Sequence, residues 1–396
     1  MPELLLGRRH LRVLLRHRDK LRRAYDHGNR VLHYDTILTA YLLAFFNPIL
    51  RSLRMLEDFS KVPGAQQYLD VDQLARSTLS DANQLFDPTL LDPLIHSLQS
   101  HIPALARVDS KLGQVLKQLR LVDGSYFSVA ADVQWALRRR KRGKGTGCDD
   151  RSVRLDLQLC CATGTPECVE INGKGTSEVA AAQRHIEGGV IYVADRGIFS
   201  FEYIQKMLDC EADFVLRIKT SQLFEVQKEL PLSDEDGKAG VISDRLGILS
   251  GSPNRPAPET QLREVIIADA NNPGHVIRLL TSLTEIPAHV IGEIYRRRWQ
   301  IELFFRWLKV HVNFRHLISE SANGITISFY VAVIGVLLLY LYSGRRPSKY
   351  AYGLLSLVGA GQATLKDILP ILEARERASE LERKRLARKN AQKAGK

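Results

Sequence analysis

Five consecutive apolar residues, Val190 to Ala194 (VIYVA), end at Asp195, with a helical pattern on either side. A short strand that is apolar at every position is one buried on both faces. That restricts its surroundings to a sheet with helices packed on it. The neighbouring segments fit. Arg120 to Val129 (RLVDGSYFSV) reads as a strand carrying Asp123, Val153 to Cys160 (VRLDLQLC) alternates with period two, and Cys168 to Ile171 follows the turn ATGTPE. Ser177 caps a helix running to Ile186, Phe201 to Leu208 is a second helix, and Phe214 to Ile218 is a further strand. The order strand, strand, strand, helix, strand, helix, strand makes the fold class α/β, a mixed sheet with helices on it.

The flanks differ in period. Residues 1–110 read as helical: Tyr41 to Phe59 has apolar residues at helical spacing with Pro48 as a break, and Ser80 and Asp81 are candidate caps of a further helix. From Thr220 to Pro287 the chain is rich in Gly and Pro and contains strands, including REVIIA and HVIRLL around the turn DANNPG. A β-rich insertion accounts for this better than a structureless loop. The chain is helical again beyond Pro287 and ends in a charged segment, Glu373 to Lys396, expected as a solvated helix with a frayed basic tail. Ile327 to Tyr342 (ISFYVAVIGVLLLYLY) is 16 residues without a charge, slightly short of a membrane span, and is expected as a helix buried in a large α/β core.

Charge and cysteine usage narrow the class. The net charge of +12 points to a polyanionic partner. The basic run Arg138, Arg139, Arg140, Lys141, Arg142, Gly143, Lys144 is equally a solvated loop or a phosphate contact. Five cysteines, Cys148, Cys160, Cys161, Cys168 and Cys210, contain no C-x-x-C pair, which fits neither a disulfide framework nor a zinc site and suits reduced thiols in a cytoplasmic protein. The basic N-terminus lacks the apolar core of a secretory signal.

The segment that carries chemistry is Ile291 to Lys309, IGEIYRRRWQIELFFRWLK. Tyr295, Arg298, Glu302 and Lys309 stand at offsets 0, 3, 7 and 14, which at roughly 100° per residue is a stripe about 60° wide. Ile301, Phe304, Phe305 and Leu308 lie opposite. Such a pattern usually marks a solvated charged face. Against that, Tyr295 and Trp299 sit on the charged side, and one carboxylate is gathered among cations as at a metal beside phosphates. Two-metal phosphodiester cleavage needs hard oxygen ligands, and carboxylates supply them. Asp123 and Asp195 lie in or at the end of strands. Taken singly, each is more simply a turn or cap residue, and only together with Glu302 do they make a site.

Tyr295-x2-Arg298-x3-Glu302-x6-Lys309 resembles the Y-R-E-K signature of the insertion-sequence-four family of DDE transposases at all four positions and spacings. Asp195-Arg196-Gly197-Ile198 resembles that family's D-R-G-(F/Y) block, with the aromatic displaced to Phe199. Asp123-Gly124-Ser125 resembles the block around the first aspartate, and FVLRIK (Phe214 to Lys219) a segment that recurs after the second. The resemblance covers about Leu119 to Tyr342. It implies a ribonuclease-H-like mixed sheet with helices on both faces, a β-rich insertion domain and a helical N-terminal domain. The implied boundaries are 1–110 for a helical domain that binds DNA ends, 111–220 and 287–370 for the two parts of the catalytic domain, 221–286 for the insertion and 371–396 for a charged tail. It implies Asp123, Asp195 and Glu302 as catalytic ligands of two Mg²⁺ ions, with Mn²⁺ as a substitute. It also implies Tyr295, Arg298, Lys309 and Arg196 as contacts to DNA, with Trp299 able to stack on an unstacked base. The activity implied is cut-and-paste transposition through a hairpin by a cytoplasmic, nucleoid-associated homodimer on double-stranded DNA, with no membrane. The alternatives are a nuclease of the same fold without strand transfer and a non-catalytic DNA-binding derivative.

Overall fold

The protein is described from a computed structural model, over residues 8–25, 32–47, 49–50, 52–69, 71–102, 111–129, 132–139, 150–269, 272–311, 319–343, 349–359 and 362–394. In chain order the elements begin with helices α1 (Arg8–Ala24), α2 (Tyr34–Phe46), α3 (Leu53–Ser60), α4 (Pro63–Leu69), α5 (Arg76–Leu85), a 3₁₀ turn (Pro88–Leu91), α6 (Asp92–Ser100) and α7 (Lys111–Gln118). Strands β1 (Leu119–Val129), β2 (Leu137–Arg139), β3 (Asp150–Cys160) and β4 (Pro166–Asn172) follow, then α8 (Glu178–Gln183), β5 (Ile191–Ala194), α9 (Phe201–Asp209) and β6 (Asp213–Ile218). Next come β7 (Phe224–Glu229), α10 (Asp234–Lys238), β8 (Val241–Leu249), β9 (Leu262–Ala268) and β10 (Val276–Thr281). The chain closes with α11 (Ala288–Arg297), α12 (Trp299–His311), α13 (Ala322–Ser343), α14 (Lys349–Gly359) and α15 (Leu365–Ala394). Contacts divide these into two units, residues 99–310 and residues 1–98 with 311–396.

The first unit holds one ten-stranded sheet in the order β2-β3-β1-β5-β6-β10-β9-β8-β7, with β4 also paired to β3. β3 and β4 follow β1 as an antiparallel meander, and β5 and β6 run parallel to β1. The resulting strand order, β4-β3-β1-β5-β6, is the ribonuclease-H-like arrangement. The β-rich stretch after Thr220 continues this same sheet, because β10 pairs antiparallel with β6 and hands on to β9, β8 and β7.

Alternation along the central strands decides what each face carries. Tyr192, Ala194, Phe214, Leu216 and Leu280 join Ala182, Tyr203, Ile204 and Met207 of α8 and α9 in one core. Val193, Val215 and Leu279, of opposite parity and also buried, lie on the face taken by α11, which packs on β5, β6, β8 and β9. That face is where the signature residues begin. The expected Ser177 cap is present, its hydroxyl accepting from Ala180 N at 3.0 Å.

The second unit is helical. α13 is its centre, packed on α2, α5 and the 3₁₀ turn. The long apolar run is therefore the core helix of a helical unit, not of the α/β sheet. α2 is itself buried on nearly every side, and two such helices satisfy each other. α13 is the one helix among the described residues long and apolar enough to cross a membrane, and 89% of its most apolar stretch is buried within the protein. Ser80 and Asp81 do not cap a helix. They lie inside α5, which starts at Arg76 after Ala75. The charged C-terminal segment, from Glu373 to Ala394, belongs to the single 30-residue helix α15. Pro48, Cys148 and Arg140 to Lys144 of the basic run fall outside the described residues, while Arg138 and Arg139 lie on β2.

Candidate active site

Strand register brings the two aspartates together. β1 and β5 are parallel with Val122 opposite Ala194, so the next residue on each strand is Asp123 and Asp195. Neighbouring strands lie about 4.8 Å apart, and the carboxyl end of a parallel strand is where open α/β sheets place their sites. Asp123 Oδ1 accepts from Gly124 N at 2.9 Å. A Cβ at Gly124 would stand 2.6 Å from Asp156 Oδ1 on the adjoining strand, so a side chain there would have to displace that carboxylate.

The signature segment is two helices, not one. α11 ends at Arg297, α12 starts at Trp299, and Arg298 is the joint. There Arg298 N bonds to Tyr295 O and Ile301 N to Arg298 O, an i to i−3 pattern that tightens the backbone. The expected greasy back is present: Ile301, Phe304, Phe305 and Leu308 are all buried. Tyr295 is buried as well, whereas Trp299 is 50% exposed, with the Arg306 guanidinium 5.9 Å from its ring.

Around this joint the three carboxylates gather. Arg298 Nη2 donates to Glu302 Oε1 at 2.6 Å, and Arg298 Nη1 stands 3.7 Å from Asp123 Oδ2. The Tyr295 hydroxyl donates to Asp195 Oδ1 at 3.0 Å. Asp123, Asp195 and Glu302 are 27%, 35% and 29% exposed, so each keeps a face open to solvent. Lys309 lies with its ammonium 5.2 Å from the ring of Phe127 on β1. Arg196 is exposed in the turn after β5, a turn closed by Ile198 N to Asp195 O at 3.1 Å.

Electrostatics follow from this crowding. Burial pushes the Asp123 carboxyl up to about 6; Arg298 and the Gly124 amide oppose the rise, while Glu302 and Glu178 add to it. Burial raises the Tyr295 hydroxyl too, with the Asp195 charge adding to the shift. For Arg298, burial alone would lower the guanidinium, yet Tyr295, Glu302 and Asp195 outweigh it and hold the charge firmly. As placed, no group of three His, Cys, Asp or Glu side chains among the described residues is arranged to hold one metal ion. The donor chemistry nevertheless suits a hard cation: three carboxylates, all partly open, with only oxygen donors among them.

Two participants escaped the sequence reading. Arg217 on β6 reaches within 3.8 Å of Asp195 Oδ1. It lies in the segment FVLRIK, but nothing in the spacing of that segment singles out the arginine. Glu178, at the start of α8, accepts from the Tyr126 hydroxyl at 3.1 Å and acts on Asp123 through its charge. Neither spacing nor period could have shown this.

Comparison with known proteins gives consistent matches. The family described as Transposase DDE domain matches residues 114–338. A protein of Sinorhizobium fredii named as transposase y4zB is 31% identical over 225 residues, 56% of this chain and 60% of that protein. One of Geobacillus stearothermophilus, named as a transposase for insertion sequence element IS5377, is 29% identical over 57% of each chain. A Synechocystis protein named as a transposase for insertion sequence element IS4SA is 25% identical over 67% of this chain and 71% of its own. The first two matches thus span about three fifths of those relatives' lengths.

Proposed function

The chain belongs to the Transposase DDE domain family, matched over more than half its length, and on that premise we propose that it cuts the ends of its own mobile element and joins them to target DNA. The observation that carries this is one helix joint gathering three distant acids: Arg298 contacts Asp123 and Glu302, and Tyr295 from the same segment holds Asp195. The substrate is double-stranded DNA bearing the element's inverted repeats, in keeping with the basic chain.

Asp123, Asp195 and Glu302 hold the divalent ions, two Mg²⁺ in this reading, with Mn²⁺ able to replace them. When bound, such ions lower the pKa of an attacking water or hydroxyl and stabilise the leaving oxygen. The remaining groups position the substrate. Arg298 and Lys309 donate to phosphates of the end, Arg196 adds a backbone contact from the exposed turn, and Tyr295 orients Asp195 while facing the same strand. Trp299, half exposed and three residues before Glu302 on α12, receives a base displaced from the stack when the second strand is cut through a hairpin. The N-terminal region, residues 1–110, holds the outer part of the end, with α1 supplying Arg16, Arg18, Arg22 and Arg23. Two copies synapse two ends, in the cytoplasm on the nucleoid.

The test is incubation of the protein with duplexes carrying the element's ends, a target plasmid and Mg²⁺. The parent gives nicked, hairpin and joined products, and Asp123→Asn and Glu302→Gln give none. Cut ends without joined product would replace transposase by nuclease. Unchanged products in both variants would end the reading.

A further inference from the structure

The Arg298 guanidinium is not presented to solvent as a free phosphate contact. It is 11% exposed and bridges two acids, with Nη2 on Glu302 and Nη1 facing Asp123. The Tyr295 ring covers it at 5.7 Å. Its Nε is buried and has no hydrogen-bond partner, so one strong donor lacks an acceptor in this arrangement.

Any divalent ion that takes oxygens from Asp123 and Glu302 meets this guanidinium at close range. Like charges repel there, and the same lone pairs cannot serve both cations. A phosphate offers the guanidinium a better fork of acceptors, enough to satisfy Nε together with an Nη. We propose that Arg298 is an exchangeable counter-cation that competes with divalent ions for Asp123 and Glu302, and that a phosphate of bound DNA draws it off and so opens the pair to metal. This rests on the reading of Asp123 and Glu302 as metal ligands and of Arg298 as a phosphate contact. DNA and metal then bind with positive coupling through one side chain, and the coupling is reciprocal. The centre loads its ions on DNA and holds them weakly without it, which limits hydrolysis away from an end.

The experiment measures Mn²⁺ binding by electron paramagnetic resonance of the free ion, on the full chain, for the parent, Arg298→Gln, Arg298→Lys, Asp123→Asn and Glu302→Gln. Circular dichroism confirms folding of each. Without DNA, Arg298→Gln is expected to bind Mn²⁺ about tenfold more tightly than the parent, within the usual range of coupling between ligands. A duplex of the element's end is expected to raise the parent's affinity by a similar factor and that of Arg298→Gln hardly at all. Should the glutamine variant fail to fold, Arg298→Lys decides: one ammonium cannot bridge both acids, so a smaller gain is expected. Equal or weaker Mn²⁺ binding without Arg298, while Asp123→Asn loses it, overturns the exchange and leaves the ligand assignment standing. Parental binding in both Asp123→Asn and Glu302→Gln overturns the ligand assignment itself.

Discussion

Asp123→Asn should abolish cleavage and stabilise the protein, and the second effect should depend on pH. Asp123 is raised from 3.8 to about 6 by folding, chiefly because burial penalises its charge. For an acid raised in the fold, the cost of folding is absent below the unfolded pKa, grows as pH rises, and is complete above the folded value. About 2 pKa units at 1.36 kcal/mol each give roughly 3 kcal/mol at pH 7.5. The carboxylate is still about a quarter exposed, and its loss leaves Arg298 with Glu302 alone, so about 2 kcal/mol is the more realistic gain. Asparagine keeps the acceptor for Gly124 N and the shape of the side chain. The assay is thermal unfolding of parent and variant from pH 4 to pH 8. A gain of roughly 4–8 °C is expected at pH 7.5, shrinking towards zero near pH 4. A variant less stable than the parent at pH 7.5, or one whose advantage is the same at both ends of the range, refutes the reasoning.

Three other substitutions separate chemistry from scaffold. Tyr295→Phe keeps the buried ring and removes the donor to Asp195; end cleavage should fall roughly tenfold, as when a ligand loses its orienting partner, with circular dichroism unchanged. Asp236 accepts from Ser233 N and Oγ and from His289 N and its ring. Burial alone would raise it, but these bonds hold it well below the usual carboxylate range, so its stabilisation is present above the unfolded pKa near 3.9 and lost as pH falls through and below it. Asp236→Ala should therefore cost about 2 kcal/mol in denaturant unfolding at pH 7, and the gap from the parent should close in acid. Glu264, fully buried between Arg245 and Arg278 at 2.6 and 2.5 Å, ties β9 to β8 and β10; Glu264→Gln should destabilise by about 3 kcal/mol in the same measurement, because it leaves buried guanidinium charge unbalanced.

Periodicity alone determined the kind of element at most positions that matter here. The apolar run Val190 to Ala194 could only be a covered strand, VRLDLQLC alternates with the period of a strand, and Ser177 caps the helix it precedes. The four-residue stripe and its greasy back likewise follow from 3.6 residues per turn, and with them the choice of Glu302, Arg298 and Tyr295. Tertiary structure decided what no local period encodes. Parallel pairing set Val122 against Ala194 and so made neighbours of Asp123 and Asp195, a contact across 72 residues that depends on register rather than on either segment. It broke the signature helix at Arg298 and turned that guanidinium onto two acids. It gave α13 to the helical unit, since an all-apolar helix carries no mark of which surface will cover it. It also placed Arg217 and Glu178 beside the site. Their charges act through space, and a sequence records only order along the chain.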